Sequence, residues 1–75
     1  MFGYVLVSLK KTAEQNIYDD LKEMKEVKEV NILFGEWDLI VKLEIESAEE
    51  LGSFVMSNIR NLPEVNLTST MIVAK

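Results

Sequence analysis

Two short stretches carry residue types suited to holding a small polar molecule. In Phe34-Gly35-Glu36-Trp37-Asp38 a glycine leaves the backbone bare between a large ring and a carboxylate. Bare amides beside an acid and an aromatic face suit a small zwitterion, with amides on its carboxylate and Asp38 on its ammonium. In Thr68-Ser69-Thr70 three consecutive hydroxyls offer further donors and acceptors. Both stretches also fit plainer roles. Gly35 suits a turn, Trp37 packing, and Asp38 a strand end where it caps a loop. The threonines are what β-propensity alone places on a solvated strand.

Other chemistries lack their parts. The chain has no cysteine and no histidine, which removes disulfides, Cys/His zinc sites and His- or Cys-based nucleophilic catalysis. Ser8, Ser47, Ser53, Ser57 and Ser69 have no base beside them in sequence, and Asp19-Asp20 is too sparse for a hard-cation site. No phosphate-binding glycine loop is present. No catalytic residue, metal ligand or cofactor is therefore assigned, and the chain reads as a binding module, not an enzyme. Eight basic against thirteen acidic side chains give a net charge of −5, with a single arginine, Arg60. Phosphate neutralisation needs clustered Lys and Arg, so direct nucleic-acid binding is not expected, and anionic membranes are disfavoured too. The apolar runs are far short of a membrane span, and the N-terminus has no signal-peptide pattern. The expected location is the cytoplasm.

The 75 residues form one domain, residues 1–75. So short a chain buries only about 60–65% of its unfolded surface, and association is a common remedy. Phe2 to Leu9 is apolar at nearly every position, the pattern of a strand buried on both faces. Thr12-Ala13-Glu14-Gln15 fits a capping box, followed by Ala13, Ile17, Leu21 and Met24 as one helical stripe. Val27 to Phe34 is the second strand, and its change of parity at Lys28-Glu29 indicates an edge strand with a bulge. Leu39, Val41, Leu43 and Ile45 alternate with Lys42, Glu44 and Glu46, which predicts a half-buried strand. Gly35 lies between these two runs, as a hairpin turn requires.

Ser47-Ala48-Glu49-Glu50 is a second capping box, opening a helix with Ala48, Leu51, Val55, Ile59 and Leu62 inward. Gly52 costs this helix about 1 kcal/mol relative to alanine, which marks a close approach to a strand or another subunit. Asn61-Leu62-Pro63 ends the helix, since the residue before a proline is pushed out of the α region. Val65 to Ala74 is the last strand. The order βαββαβ is the α+β, ferredoxin-like arrangement: a four-stranded antiparallel sheet with two helices on one face. The other face is not polar. The first strand offers Phe2, Tyr4 and Leu6 on one side and Val5, Val7 and Leu9 on the other, and the last presents Leu67, Met71 and Val73 opposite Thr68, Thr70 and Ile72. Such an uncovered row predicts that two copies pack face to face as a dimeric α+β barrel.

Read in order, the motifs resemble the effector-binding RAM domain of the Lrp/AsnC family of amino-acid-responsive regulators. The match runs from Phe34-Gly35-Glu36-Trp37-Asp38-Leu39-Ile40-Val41 through the capped helix with a mid-helix Phe, Ser47 to Phe54. It continues in Leu62-Pro63-Glu64-Val65 and Thr68-Ser69-Thr70. The resemblance implies homodimers through the open sheet face, assembled into octamers or similar rings, with an amino acid bound between dimers. It carries ligand contact to Gly35, Trp37, Asp38, Thr68 and Thr70, with Phe34, Glu36 and Ser69 beside them. Trp37 departs from the smaller side chain found in many members. Full-length members carry a helix-turn-helix domain, whereas this sequence starts at the first strand and so resembles the stand-alone members. These are expected to join full-length regulators in mixed oligomers or to buffer the ligand. Two alternatives come from other classes. One is a small dimeric barrel enzyme, with an enclosed cavity lined by a Tyr or an acid. The other is a purely structural oligomerisation module.

Overall fold

The computed structural model describes residues 1–10 and 14–75. The capping box at Thr12-Ala13 lies outside the described residues. The elements are β1 (Phe2–Leu9), α1 (Glu14–Lys22), β2 (Val27–Ile32), β3 (Leu39–Glu44), α2 (Ala48–Asn58) and β4 (Val65–Ile72). All strand pairs are antiparallel, in the order β2-β3-β1-β4. The ferredoxin-like βαββαβ architecture is thus the one the sequence indicates.

One face of the sheet makes the core. Val5 and Val7 of β1, Val30 of β2 and Leu39, Val41 and Leu43 of β3 are buried against Ile17 and Leu21 of α1 and Leu51, Val55 and Ile59 of the second helical segment. No polar side chain is buried among the described residues. Gly3 is required by packing: a Cβ there would lie 2.6 Å from Leu51 Cδ1 and 3.2 Å from the Met71 carbonyl oxygen. The Ser47 cap forms, its Oγ accepting from the Glu50 N–H at 3.1 Å. The bulge in edge strand β2 also forms, as a register shift between Val27 and Glu29.

Several boundaries differ from the sequence pattern. β1 is buried on one face only within a single chain: Gly3, Val5 and Val7 are covered, Tyr4 and Leu6 half-buried, and Phe2 exposed. β2 ends at Ile32, two residues early, because Leu33 and Phe34 enter the connecting loop. α2 ends at Asn58, before the position Pro63 would forbid. Ala48 is exposed, since it sits in the first helical turn, where the stripe has not yet reached the sheet. An Ala-sized Cβ at Gly52 meets nothing within 4 Å, so within the chain this glycine makes no close approach. Within α1, Gln15 Nε2 donates to Asp19 Oδ1 at 3.0 Å.

The second face of the sheet is open. Strand register aligns its side chains in rows across β3, β1 and β4. Ile40, Leu6 and Ser69 form one row, Lys42, Tyr4 and Met71 the next, and Glu44 and Phe2 a third. Leu67, Met71 and Val73 are exposed there. The Lys42 ammonium lies 4.7 Å from the Phe2 ring centroid, a cation–π contact that covers part of this surface.

Candidate functional site

The turn between β2 and β3 is closed by the Leu33 N–H donating to the Asp38 carbonyl at 2.8 Å. The Asp38 N–H in turn donates to the Val7 carbonyl, also at 2.8 Å, which fastens the turn to β1. Gly35 has φ +136°, a conformation in which a side chain is strained, and its surroundings are open. Its backbone is bare, as the sequence indicates. Trp37 and Asp38 are half-buried, and Glu36 is exposed. Phe34 is 107% exposed, its ring uncovered by the described residues.

Asp38 has a structural task. Its Oδ2 accepts the Leu9 N–H at 2.7 Å. Leu9 stands where the β1–β4 register shifts, so this N–H lies at an irregularity in the ladder. The carboxylate supplies the missing partner with a short charge-assisted bond. Its second oxygen, Oδ1, receives no hydrogen bond from the described residues and remains able to take another donor.

The hydroxyl stretch does not act as one row. Thr68 pairs with Val7 and Thr70 with Val5, so both lie on the helix side of β4. Ser69 pairs with Leu6 on the open side. Alternation along a strand separates it from its neighbours. Thr68 and Thr70 border a surface groove of about 560 Å³ between β4 and α2. Its other walls are Ala48, Glu49, Gly52, Ser53, Val55, Met56 and Arg60. The groove exists because β4 is an edge strand that α2 does not fully cover, and because Gly52 puts no side chain into the gap. Ser53, Thr68 and Thr70 supply hydroxyls, Arg60 a cation and Glu49 a carboxylate.

Sequence reasoning missed Gly52, Arg60 and the rest of the helical wall. The signal was present: Glu49, Gly52, Ser53, Met56 and Arg60 recur at intervals of one, three or four residues, which places them on one side of the helix. Apart from Ser69 on the open face, the expected binding residues therefore fall into two groups. Phe34 to Asp38 form the turn beyond β2 and β3, while Thr68 and Thr70 belong to the groove beside β4. β3 and β4 are separated by β1, so their axes are about 10 Å apart at ordinary strand spacing.

Fold and groove together define a ferredoxin-like domain with a ligand-sized surface concavity and an uncovered apolar sheet face. The chain belongs to the Lrp/AsnC family: the family's ligand binding domain matches residues 3–75. Among curated proteins it is 33% identical, over all 75 residues, to the HTH-type transcriptional regulator FL11 of Pyrococcus abyssi. The match covers 49% of that protein, so this chain spans about half the length of such relatives. Among solved structures, FFRP-DM1 is 38% identical with a TM-score of 0.91, and 96% of each chain is covered. A hypothetical protein PHS023 from Pyrococcus horikoshii is also 38% identical, with a TM-score of 0.89 over 96% of this chain and 87% of that one. The curated relatives are transcriptional regulators, and the part they share with this chain is the ligand-binding part. No helix among the described residues is long and apolar enough to cross a membrane.

Proposed function

We propose that this chain is an amino-acid effector-binding and assembly module, cytoplasmic and without catalytic activity of its own. It pairs with a second copy through the open sheet face and binds its ligand where copies meet. The observation that supports this most is the division of the polar groups. The turn offers bare Gly35 amides, the Trp37 ring and the second oxygen of Asp38. The Thr68 and Thr70 hydroxyls stand two strands away, in a groove that no other described residue covers. Neither half alone holds a zwitterion on all sides. A turn from one copy over the groove of another combines amides and hydroxyls for the carboxylate with Asp38 for the ammonium. The family's regulators make a mixed assembly with a full-length member the natural partner for this module.

The enzyme alternative needs an enclosed cavity lined by a tyrosine or an acid, and the described interior holds only buried apolar side chains. The purely structural alternative is favoured by one observation, the Asp38 to Leu9 hydrogen bond, which gives the carboxylate a role without any ligand. Calorimetric titration with each of the twenty amino acids at millimolar concentration separates the two. Effector binding predicts heat with at least one amino acid, abolished by Asp38→Asn. That variant keeps an oxygen for Leu9 and loses only the charge. No heat with any amino acid refutes effector binding and leaves a structural module.

A further inference from the structure

We propose that the β4–α2 groove takes an extended peptide ending in a carboxylate, which pairs antiparallel with the open edge of β4 as a fifth strand. The inference goes beyond the effector reading and stands without it. β4 is the last strand of the sheet, and its outer edge pairs with none of the described residues. The Val73 N–H donates to the Phe2 carbonyl at 2.9 Å, which fixes the alternation along the ladder. Met71 and Ser69 therefore bond inward to Tyr4 and Leu6, while Thr68, Thr70 and Ile72 turn their N–H and C=O groups outward. An edge of this kind accepts a further strand through main-chain hydrogen bonds, and neighbouring pockets select its alternate side chains.

The two edges of the sheet differ. β2 carries Lys28 and Glu29 and a register shift between Val27 and Glu29, features that blunt strand pairing. β4 carries no charged residue, no proline and no glycine, and its register is regular from Leu67 to Ile72. Its helix side opens directly into the groove. A strand laid along β4 sets the side chains opposite Thr68 and Thr70 on their side of the sheet. Those side chains enter the space that Gly52 leaves empty, with Ser53 and Met56 beside it. The peptide residues between them point toward the other face.

Charge sets the direction of the peptide. Arg60 also lines a smaller hollow with Val65, Asn66, Leu67 and Thr68, so it stands at the start of β4. Gly3 lies beside both Leu51 and the Met71 carbonyl, so the start of α2, with Glu49, lies at the far end of β4. Neither Arg60 nor Glu49 forms a salt bridge with a described residue. At helical rise the two stand about 16 Å apart, the length of about five residues of strand. A C-terminal carboxylate at Arg60 can take two parallel hydrogen bonds from the guanidinium, and a lysine at the other end of the peptide meets Glu49. That polarity runs antiparallel to β4. The β4 of a second copy carries no charge and would leave Glu49 and Arg60 unmet, which favours a peptide over edge-to-edge pairing of copies. Thr68 and Thr70 serve either ligand, so peptide and amino acid exclude one another.

The test is fluorescence anisotropy of the full chain with a library of N-terminally labelled pentapeptides. Each begins with lysine, is otherwise built from Val, Ile, Thr, Leu and Ala, and has a free C-terminus. Binding is expected from members of this library. Amidating the C-terminus of a binder, or Arg60→Gln, should each weaken it about tenfold or more, and the two together no further than either alone. Gly52→Leu, which fills the groove where an added Cβ meets nothing, should abolish binding. Methylating the peptide amides one at a time separates edge pairing from simple lodging in the groove. Alternate positions should abolish binding, and the positions between them should tolerate the methyl group. No binding from any library member, equal tolerance of methylation at every position, or unchanged affinity in both Arg60→Gln and Gly52→Leu overturns the proposal. Amino-acid heat without peptide binding refutes this inference and spares effector binding. Peptide binding with the alternating pattern and no amino-acid heat supports this inference and refutes effector binding.

Discussion

Replacing Asp38 by alanine tests how the turn is tied to the sheet. The perturbation removes the acceptor of the Leu9 N–H, a 2.7 Å bond from a carboxylate at the point where β1 and β4 lose register. Hydrogen bonds to charged groups contribute roughly 1.5–3 kcal/mol when lost from a buried setting. Leu9 and Asp38 are only half-buried, so water replaces part of the bond. A loss of about 1–2 kcal/mol is expected. For a domain this small, about 4–8 °C of melting temperature accompanies each kcal/mol, which predicts a drop of about 4–16 °C. Thermal unfolding followed by circular dichroism, at one fixed subunit concentration because assembly adds its own stability, reads this directly. Asp38→Asn keeps an acceptor oxygen and should recover more than half of the loss. An alanine variant melting within 1 °C of wild type, or an asparagine variant as weak as the alanine one, refutes the strand-end role.

Three further outcomes follow from other positions. Gly3→Ala places a methyl 2.6 Å from a methyl of Leu51, a side chain itself only 1% exposed, so it should destabilise by about 1–3 kcal/mol in denaturant titration. Gly52→Ala should do the reverse, stabilising by roughly 0.5–1 kcal/mol, because the position is helical and the added methyl meets nothing. Met71→Glu sets a carboxylate on the open face beside Tyr4, and sedimentation should find single chains. An unchanged sedimentation coefficient would mean that copies pair elsewhere.

The fold was legible wherever the local pattern and the burial agree. Leu39, Val41 and Leu43 alternate with half-buried or exposed neighbours because β3 is a central strand covered by helices on one side only. Ser47 and Glu50 meet as a cap because that contact depends on four consecutive residues. Phe34 misled because an apolar type extends a strand pattern on paper, while the ladder ends at Ile32 and the ring points into solvent. For Thr68-Ser69-Thr70 the parity was in hand, with Leu67 and Met71 placed opposite the threonines. Treating the three hydroxyls as one donor row conflicts with it. The groove was not legible, since it depends on how far α2 stops short of β4, a distance between elements that no single stretch encodes. Its local traces were the spacing of Glu49, Ser53, Met56 and Arg60 and the glycine among them, Gly52, whose lack of a side chain opens a gap on the outside of the helix instead of admitting a neighbour.

The most direct test of an effector site completed between copies is native mass spectrometry of the protein with each amino acid in turn. It should show assemblies of even chain number carrying an amino acid, and no ligand on the single chain. Single chains as the dominant species, or assemblies that stay bare with all twenty amino acids, would contradict it.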